Sequence, residues 1–255
     1  MLRMKVGKHK FLRMTDVTVI CAVWSKDARR RALVRSHREN LLGQSRPVHA
    51  IYVFDGGDTP PDGLDAETII SSQDLTIYQA WNLALARVTT PLVMNLNLDD
   101  RLAPDAAEQL ARHITQEDAV LAGGDWRICY SQDETDAVRP CHPAAELGFS
   151  RTCPPGIEPD RRLGSGTGER LTFGPAVMWK MAAHIQVPRY PWRLNDGTLI
   201  RTVADGAFWS ILGHLGAKLS RLPLVVGNYH FHPQEQAEYR HPEDLAQILP
   251  NILKI

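Results

Sequence analysis

Along the first hundred residues, apolar positions gather into short unbroken runs, separated by stretches whose apolar residues recur at helical spacing. Val17 to Trp24 is nearly continuous and β-branched, the pattern of a strand buried on both faces, and it predicts a central parallel strand. Ser25-Lys26-Asp27 then offers cap-type residues before a helix over 28–42, in which Ala32, Leu33 and Leu41 stand among Arg29, Arg30, Arg31, Arg35, Arg38 and Glu39. His49 to Phe54 and Thr68 to Ile70 read as the next strands, 75–87 as a helix, and Pro91 to Leu98 as a further strand. This order predicts an α/β fold built on a βα-type sheet.

The second half is less regular. It predicts a helix over Ala106 to Ile114, a short strand over Ala119 to Ala122 and another over Trp126 to Tyr130. From 131 to 170 no period survives among the Pro, Gly, Asp and Arg residues, which marks a functional loop, a lid or a disordered segment. Order resumes over Leu171 to Trp179. A helix follows, with Phe208, Ile211, Leu212 and Leu215 on one face and Asp205 at its N-terminal end. Leu219 to Val226 reads as a strand that closes in Gly227-Asn228-Tyr229-His230-Phe231-His232-Pro233. The division expected is a basic tail over 1–14, one domain over 15–240 with halves at 15–100 and 101–240, and a C-terminal tail or helix over 241–255.

Composition narrows the class. The 255 residues are 44% hydrophobic and 23% charged, ordinary for a globular chain, and 29 basic residues balance 29 acidic ones. That balance argues against a general nucleic-acid binder. Met1 to Arg13 is basic without the apolar core of a secretory signal, and no apolar run approaches the roughly 18 to 20 residues that cross a bilayer. Four cysteines form no CxxC pair, so a reduced, cytoplasmic protein is expected. Arg31, Arg35 and Arg38 share a helix face that is either solvated or turned to phosphates or anionic lipid, which would place the protein peripherally at a membrane.

Candidate chemistry concentrates at strand ends. The run Pro91 to Leu98 stops at Asp99-Asp100, and carboxylates beyond the carboxyl end of a strand lie where open α/β sheets gather ligands. They read either as a strand-to-helix turn that favours the next helix or as oxygen ligands for Mg²⁺ or Mn²⁺. Asp55-Gly56-Gly57-Asp58 ends the second strand and suits either a turn or close approach of a ligand. Asp205 reads as a helix cap or as a base. His230 and His232, one residue apart after a strand, share a face. Gly164 to Gly168 is not a P-loop, because no Lys-Ser/Thr pair follows it. Cys129, Cys141, His142 and Cys153 match no compact zinc spacing.

Several of these stretches together resemble the family 2 glycosyltransferases, inverting enzymes of the GT-A (nucleotide-diphospho-sugar transferase) fold, which implies a mixed central sheet flanked by helices. Val19 to Ser25 is similar to the family's first strand, with Ala22 in place of its proline and Ser25 in place of its asparagine. Phe54-Asp55-Gly56-Gly57-Asp58 resembles its Val-Asp-Asp-Gly-Ser. Thr76 to Ala86 followed by Leu96-Asn97-Leu98-Asp99-Asp100 is similar to a subgroup with Gly-Ile-Tyr-Asp-Ala-Met-Asn before Leu-Asn-Ala-Asp-Asp.

The resemblance makes 15–100 the nucleotide-sugar half and 101–240 the acceptor half. It implies donor contacts from Ala22, Trp24, Asp55, Asn82, Asn97 and Asp99, with Asp55 on the base, and a divalent cation, Mn²⁺ or Mg²⁺, on Asp99 and His232. Asp205 falls at the catalytic base. Two departures stand out. Asn97 occupies the first acidic position of the family's Asp-x-Asp motif, so the cation meets one charge fewer, and Ala204 replaces an acid beside Asp205.

The implied activity is sugar transfer from a nucleotide-sugar donor, a UDP-sugar favoured, to a saccharide, lipid-linked or protein acceptor in polysaccharide or glycoconjugate biosynthesis. The substitutions at Asn97 and Ala204 keep open a non-catalytic nucleotide-sugar-binding or scaffold protein of the same fold. A sugar-1-phosphate nucleotidyltransferase is disfavoured, because the first strand runs into Trp24-Ser25-Lys26-Asp27 rather than a Gly-rich loop containing Arg.

Overall fold

The computed structural model describes residues 15–24, 26–143, 174–202 and 204–232. The N-terminal tail, the stretch 144–170 with its glycines and Cys153, and the tail 241–255 lie outside the described residues.

Among the described residues, nine strands form one sheet. In chain order they are β1 (Val17–Val23), β2 (His49–Phe54), β3 (Glu67–Ile70), β4 (Leu92–Asn95), β5 (Arg101–Leu102), β6 (Leu121–Cys129), β7 (His142–Pro143), β8 (Val177–Lys180) and β9 (Leu219–His230). Their spatial order is β3-β2-β1-β4-β8-β6-β9-β5, with β7 on β9. β1 pairs parallel with both β2 and β4, while β8 runs antiparallel between β4 and β6. The sheet is thus mixed, as the resemblance implies.

Helices α1 (Arg30–Leu42), α2 (Ile77–Leu85), α3 (Ala106–Gln116), α4 (Gln132–Asp136) and α5 (Ala204–His214) complete the described elements, with a 3₁₀ turn at Met181–Ile185. Alternate residues of β1 and β2 enter opposite cores. Val17, Val19, Cys21, Tyr52 and Phe54 join Leu33 and Leu41 of α1 and Leu110 of α3 on one face. Ile20, Ile51 and Val53 join Trp81 of α2 and Phe208 of α5 on the other. Burial on both faces is why these strands read as unbroken apolar runs. With α1 on one face and α2 on the other, the chain leaves β1 in both directions, which opens a crevice at the tips of β1, β2 and β4.

The structure redraws several boundaries. β4 stops at Asn95 rather than Leu98, because Leu96 N–H still reaches the Ile20 carbonyl at 3.1 Å and the next residues turn back, with Asp100 N–H on the Asn97 carbonyl at 3.2 Å. The two short strands expected either side of Gly123-Gly124 are one strand, β6, whose pairing with β9 shifts register between Gly123 and Trp126. A Cβ on Gly124 would overlap the Val226 side chain, so the glycine that reads as a break is what lets β9 pack there. β9 runs on to His230, past the expected end at Val226. In the first part of the expected irregular loop, Ser131 Oγ caps α4 through Glu134 N–H at 3.2 Å. Asn228 Nδ2 donates to the Thr135 carbonyl at 3.0 Å.

Gly227 is equally constrained. A Cβ there would overlap the Arg101 carbonyl and the Trp126 ring. Gly227→Ala is expected to cost about 1–3 kcal/mol through overpacking. The check is urea unfolding, where the midpoint should fall with an unchanged slope.

Candidate active site

The turn after β4 separates its two carboxylates. Asp100 is fully buried; its Oδ1 accepts from His230 N–H at 3.0 Å, and the Asn97 amide hydrogen-bonds the same carboxyl. Asp100 therefore ties β9 to the turn, and Asp99 is left to line the crevice. Burial, then the charge of Asp99, raises the proton affinity of Asp100 far above that of an ordinary carboxylate. Asp99 is also raised by burial, opposed by a backbone hydrogen bond and by His232, Arg101 and Arg29.

Arg101, 1% exposed, braces this turn from below. Its Nη1 donates to the Leu98 and Asp100 carbonyls at 2.9 and 2.7 Å, and its Nε pairs with Asp136 at 2.7 Å. Nη2 donates to Ser36 Oγ of α1 at 2.9 Å.

Two cavities adjoin at the strand tips. The smaller, about 270 Å³, is lined by Ala22, Trp24, Asn97, Asp99, Asp205 and His232 together. The larger, about 620 Å³, holds Asp55 and shares Ala22, Trp24, Ile77 and Arg201 with the first. Asp55 is 3% exposed and its Oδ2 accepts from Leu75 N–H at 3.1 Å. Gly56 and Gly57 have φ of 60° and 76°, left-handed values that favour glycine. Their N–H groups are spent on the Gln73 and Ser71 carbonyls, so these glycines build a turn.

Asn82 lines neither cavity. Its Nδ2 donates to the Tyr190 carbonyl at 3.0 Å and its Oδ1 accepts from Tyr190 N–H at 2.9 Å, which clasps α2 to the chain ahead of α5.

His232 meets two groups. Its Nε2 lies 3.1 Å from His230 Nδ1 and 3.3 Å from Arg29 Nη1. A guanidinium only donates, so His232 Nε2 accepts from Arg29. Burial and the neighbouring positive charges push His230 down to about 4, which keeps it neutral near pH 7.

Asp205 sits in the first turn of α5. Its Oδ1 accepts from Gly206 N–H at 2.8 Å, a contact one residue away that does not cap the helix in the usual way. Burial raises its proton affinity, against hydrogen bonds from the backbone and from Tyr78. Tyr190 stands close enough for the Asp205 charge to add to burial in holding its hydroxyl protonated.

Tyr78, Trp81, Arg201, Thr202 and Arg29 also line the smaller cavity and were not singled out by the sequence reading. One signal was available for Tyr78 and Trp81, whose i, i+3 spacing puts both on one face of α2. Thr202-x-x-Asp205 has capping-box spacing, yet Thr202 Oγ1 is buried with no hydrogen-bond partner among the described residues.

Sheet order and crevice together define a GT-A-like fold. Solved structures share it: S. aureus TarS 1–349 is 14% identical over 93% of this chain and 64% of that one, with a TM-score of 0.61. The same TarS fragment in complex with UDP-GlcNAc is 13% identical over 93% and 65%, at 0.61. The mannosyltransferase PcManGT from Pyrobaculum calidifontis, in complex with GDP-Man and Mn²⁺, is 12% identical over 93% and 62%, at 0.59. The chain spans less than two thirds of the length of each of these three. No family model matches the sequence, and no curated protein matches it.

Arg101→Met removes a buried cation from beneath the Asp99 turn and is expected to cost on the order of 3 kcal/mol. The measurement is again a urea midpoint.

Proposed function

We propose that this protein is a glycosyltransferase of the family 2 type, moving a sugar from a nucleotide-sugar donor to an acceptor hydroxyl with inversion, in polysaccharide or glycoconjugate biosynthesis. The observation that carries the reading is that Asn97, Asp99, His232 and Asp205, which lie far apart in sequence, line one cavity adjoining that of Asp55, at the strand tips of a GT-A-like fold. Solved relatives of the fold hold UDP-GlcNAc or GDP-Man, which supports a nucleotide-sugar donor across the two cavities.

In this reading the nucleotide lies in the larger cavity with Asp55 on its base and Trp24 at the mouth. The diphosphate reaches the smaller cavity, where Arg29 and Arg201 add positive charge. Asp205, poised by burial, takes the proton of the acceptor hydroxyl as that oxygen attacks the anomeric carbon from the face opposite the leaving nucleotide.

The donor atoms suit Mn²⁺ or Mg²⁺ in kind. Asp99 offers a carboxylate, His232 an imidazole, and Asn97 a buried Oδ1 with no partner among the described residues. No group of three His, Cys, Asp or Glu able to hold a metal occurs among the described residues, so diphosphate oxygens and water would complete the shell, as is usual for Mg²⁺. Arg29 competes for the same His232 nitrogen. When bound, the cation would supply Lewis-acid charge to the departing diphosphate.

No helix among the described residues is long and apolar enough to cross a membrane. Arg31 and Arg35 on α1 are exposed, and Arg38 donates to the Asp65 carbonyl at 2.6 Å. The basic face available to an anionic lipid is thus narrower than the sequence spacing implies.

Calorimetry with UDP, GDP and TDP, each with and without Mn²⁺, tests the donor site. One nucleotide is expected to bind with metal dependence and to lose affinity at least about tenfold in Asp99→Ala. No binding of any nucleotide would favour the scaffold alternative instead.

A second expectation concerns pH. The base must be ionised, so the rate rises with pH through the elevated pKa of Asp205. Tyr78→Phe removes a hydrogen bond that favours the carboxylate, so the acid limb of the kcat/KM profile should move to higher pH. A limb that stays in place or moves down would separate Asp205 from the proton transfer.

A further inference from the structure

Three residues that line the smaller cavity carry a buried polar atom with no hydrogen-bond partner among the described residues: Asn97, whose Oδ1 is the one offered to the cation, and Trp81 and Thr202. In the last two the atoms are the indole Nε1 and the hydroxyl Oγ1. Both residues are 2% exposed, and both line the cavity that contains Asp205. Buried polar groups are nearly always paired, and leaving one unpaired is destabilising. Other unpaired atoms nearby, Tyr190 Oη and Ser210 Oγ, belong to residues that do not line this cavity.

The chemistry of the pair is restrictive. An indole N–H donates only, while a threonine hydroxyl both donates and accepts, so the two together call for oxygen atoms that carry lone pairs. A phosphate or carboxylate held at this wall, rather than beside Arg29 and Arg201, would face the Asp205 carboxylate. A lone alcohol has a single oxygen, which is committed to Asp205 if it is the attacking one. Tyr78 and Trp81 add flat apolar surface at right angles, their rings 5.5 Å apart at 78°, a wall against which the C–H face of a sugar or polyol can lie.

We propose that Trp81 and Thr202 form an acceptor subsite that holds hydroxyls next to the attacking one, so that the acceptor is a saccharide or polyol rather than a protein side chain or a simple lipid alcohol. The proposal rests on the glycosyl-transfer reading of Asp205. Its geometry divides the labour: Asp205 takes the proton, while Trp81 and Thr202 choose which of several hydroxyls is presented to it.

The test uses the full chain labelled with ¹⁵N-tryptophan and saturated with whichever nucleotide binds. The Trp81 indole resonance is assigned by its loss in Trp81→Phe. Glycerol, ribitol and methyl glucoside are titrated in turn, with 1-propanol as the single-hydroxyl comparison. The Trp81 resonance is expected to shift with the polyols and not with propanol. Thr202→Val should weaken polyol affinity by about tenfold, the scale of one lost hydrogen bond to a buried partner, and Thr202→Ser should restore it.

Calorimetry on the same samples supplies the separate arm. Nucleotide binding without any polyol response at Trp81, or an equal response to propanol, overturns the acceptor subsite while leaving the transfer reading intact. Failure of UDP, GDP and TDP alike to bind removes the transfer reading and the subsite with it.

Discussion

A buried hydrogen bond ties the two halves of the chain together at the crevice: His230 N–H to the carboxylate of Asp100, 130 positions earlier. It fixes the end of β9 against the turn after β4. That contact decides where Asp99 and His232 can be, since each is the next cavity-lining residue along from a partner in this bond. The cost is a buried carboxyl beside another carboxyl. The fold offsets it with the Asn97 amide, with the proton that burial favours on Asp100, and with the Arg101 guanidinium beneath. One ionised and one protonated carboxyl is the arrangement a low-dielectric site tolerates best, because two adjacent negative charges repel strongly there.

The same economy explains the neutral Asn97. With Asp100 turned inward and hydrogen-bonded to Asn97, a third carboxylate in this turn would add repulsion without a partner. The crevice instead sets Asp99 among cations and imidazoles. Positive charge reaches it from Arg29, just ahead of α1, and from Arg201 in the segment before α5.

How much of this could be read from residues alone follows burial closely. β1 and β2 were legible because both faces are covered, and α2 because its apolar residues recur at helical spacing. β6 was not, since Gly123-Gly124 reads as a break when only local preference is weighed, and the need for close approach by Val226 is a tertiary fact. Likewise Arg101 reads as a turn residue, and only its 1% exposure shows it to be a strut. Within the crevice, Ala22, Trp24, Asn97, Asp99, Asp205 and His232 are brought to one cavity and Asp55 to its neighbour, whereas Asn82 is spent on Tyr190. Trp81 and Thr202 escaped notice because what marks them is an absent partner, and absence of a partner has no signature in spacing.

The clasp between Asn82 and Tyr190 has a mechanical side. α2 lends its first turn, around Thr76 and Ile77, to the larger cavity and its middle, at Tyr78 and Trp81, to the smaller one. Its N-terminus is stiffened by a reciprocal capping box between Thr76 and Gln79, and its far end is pinned by the two hydrogen bonds to Tyr190. A rod held at both ends transmits displacement instead of absorbing it. α2 is therefore a single stiff wall common to both compartments.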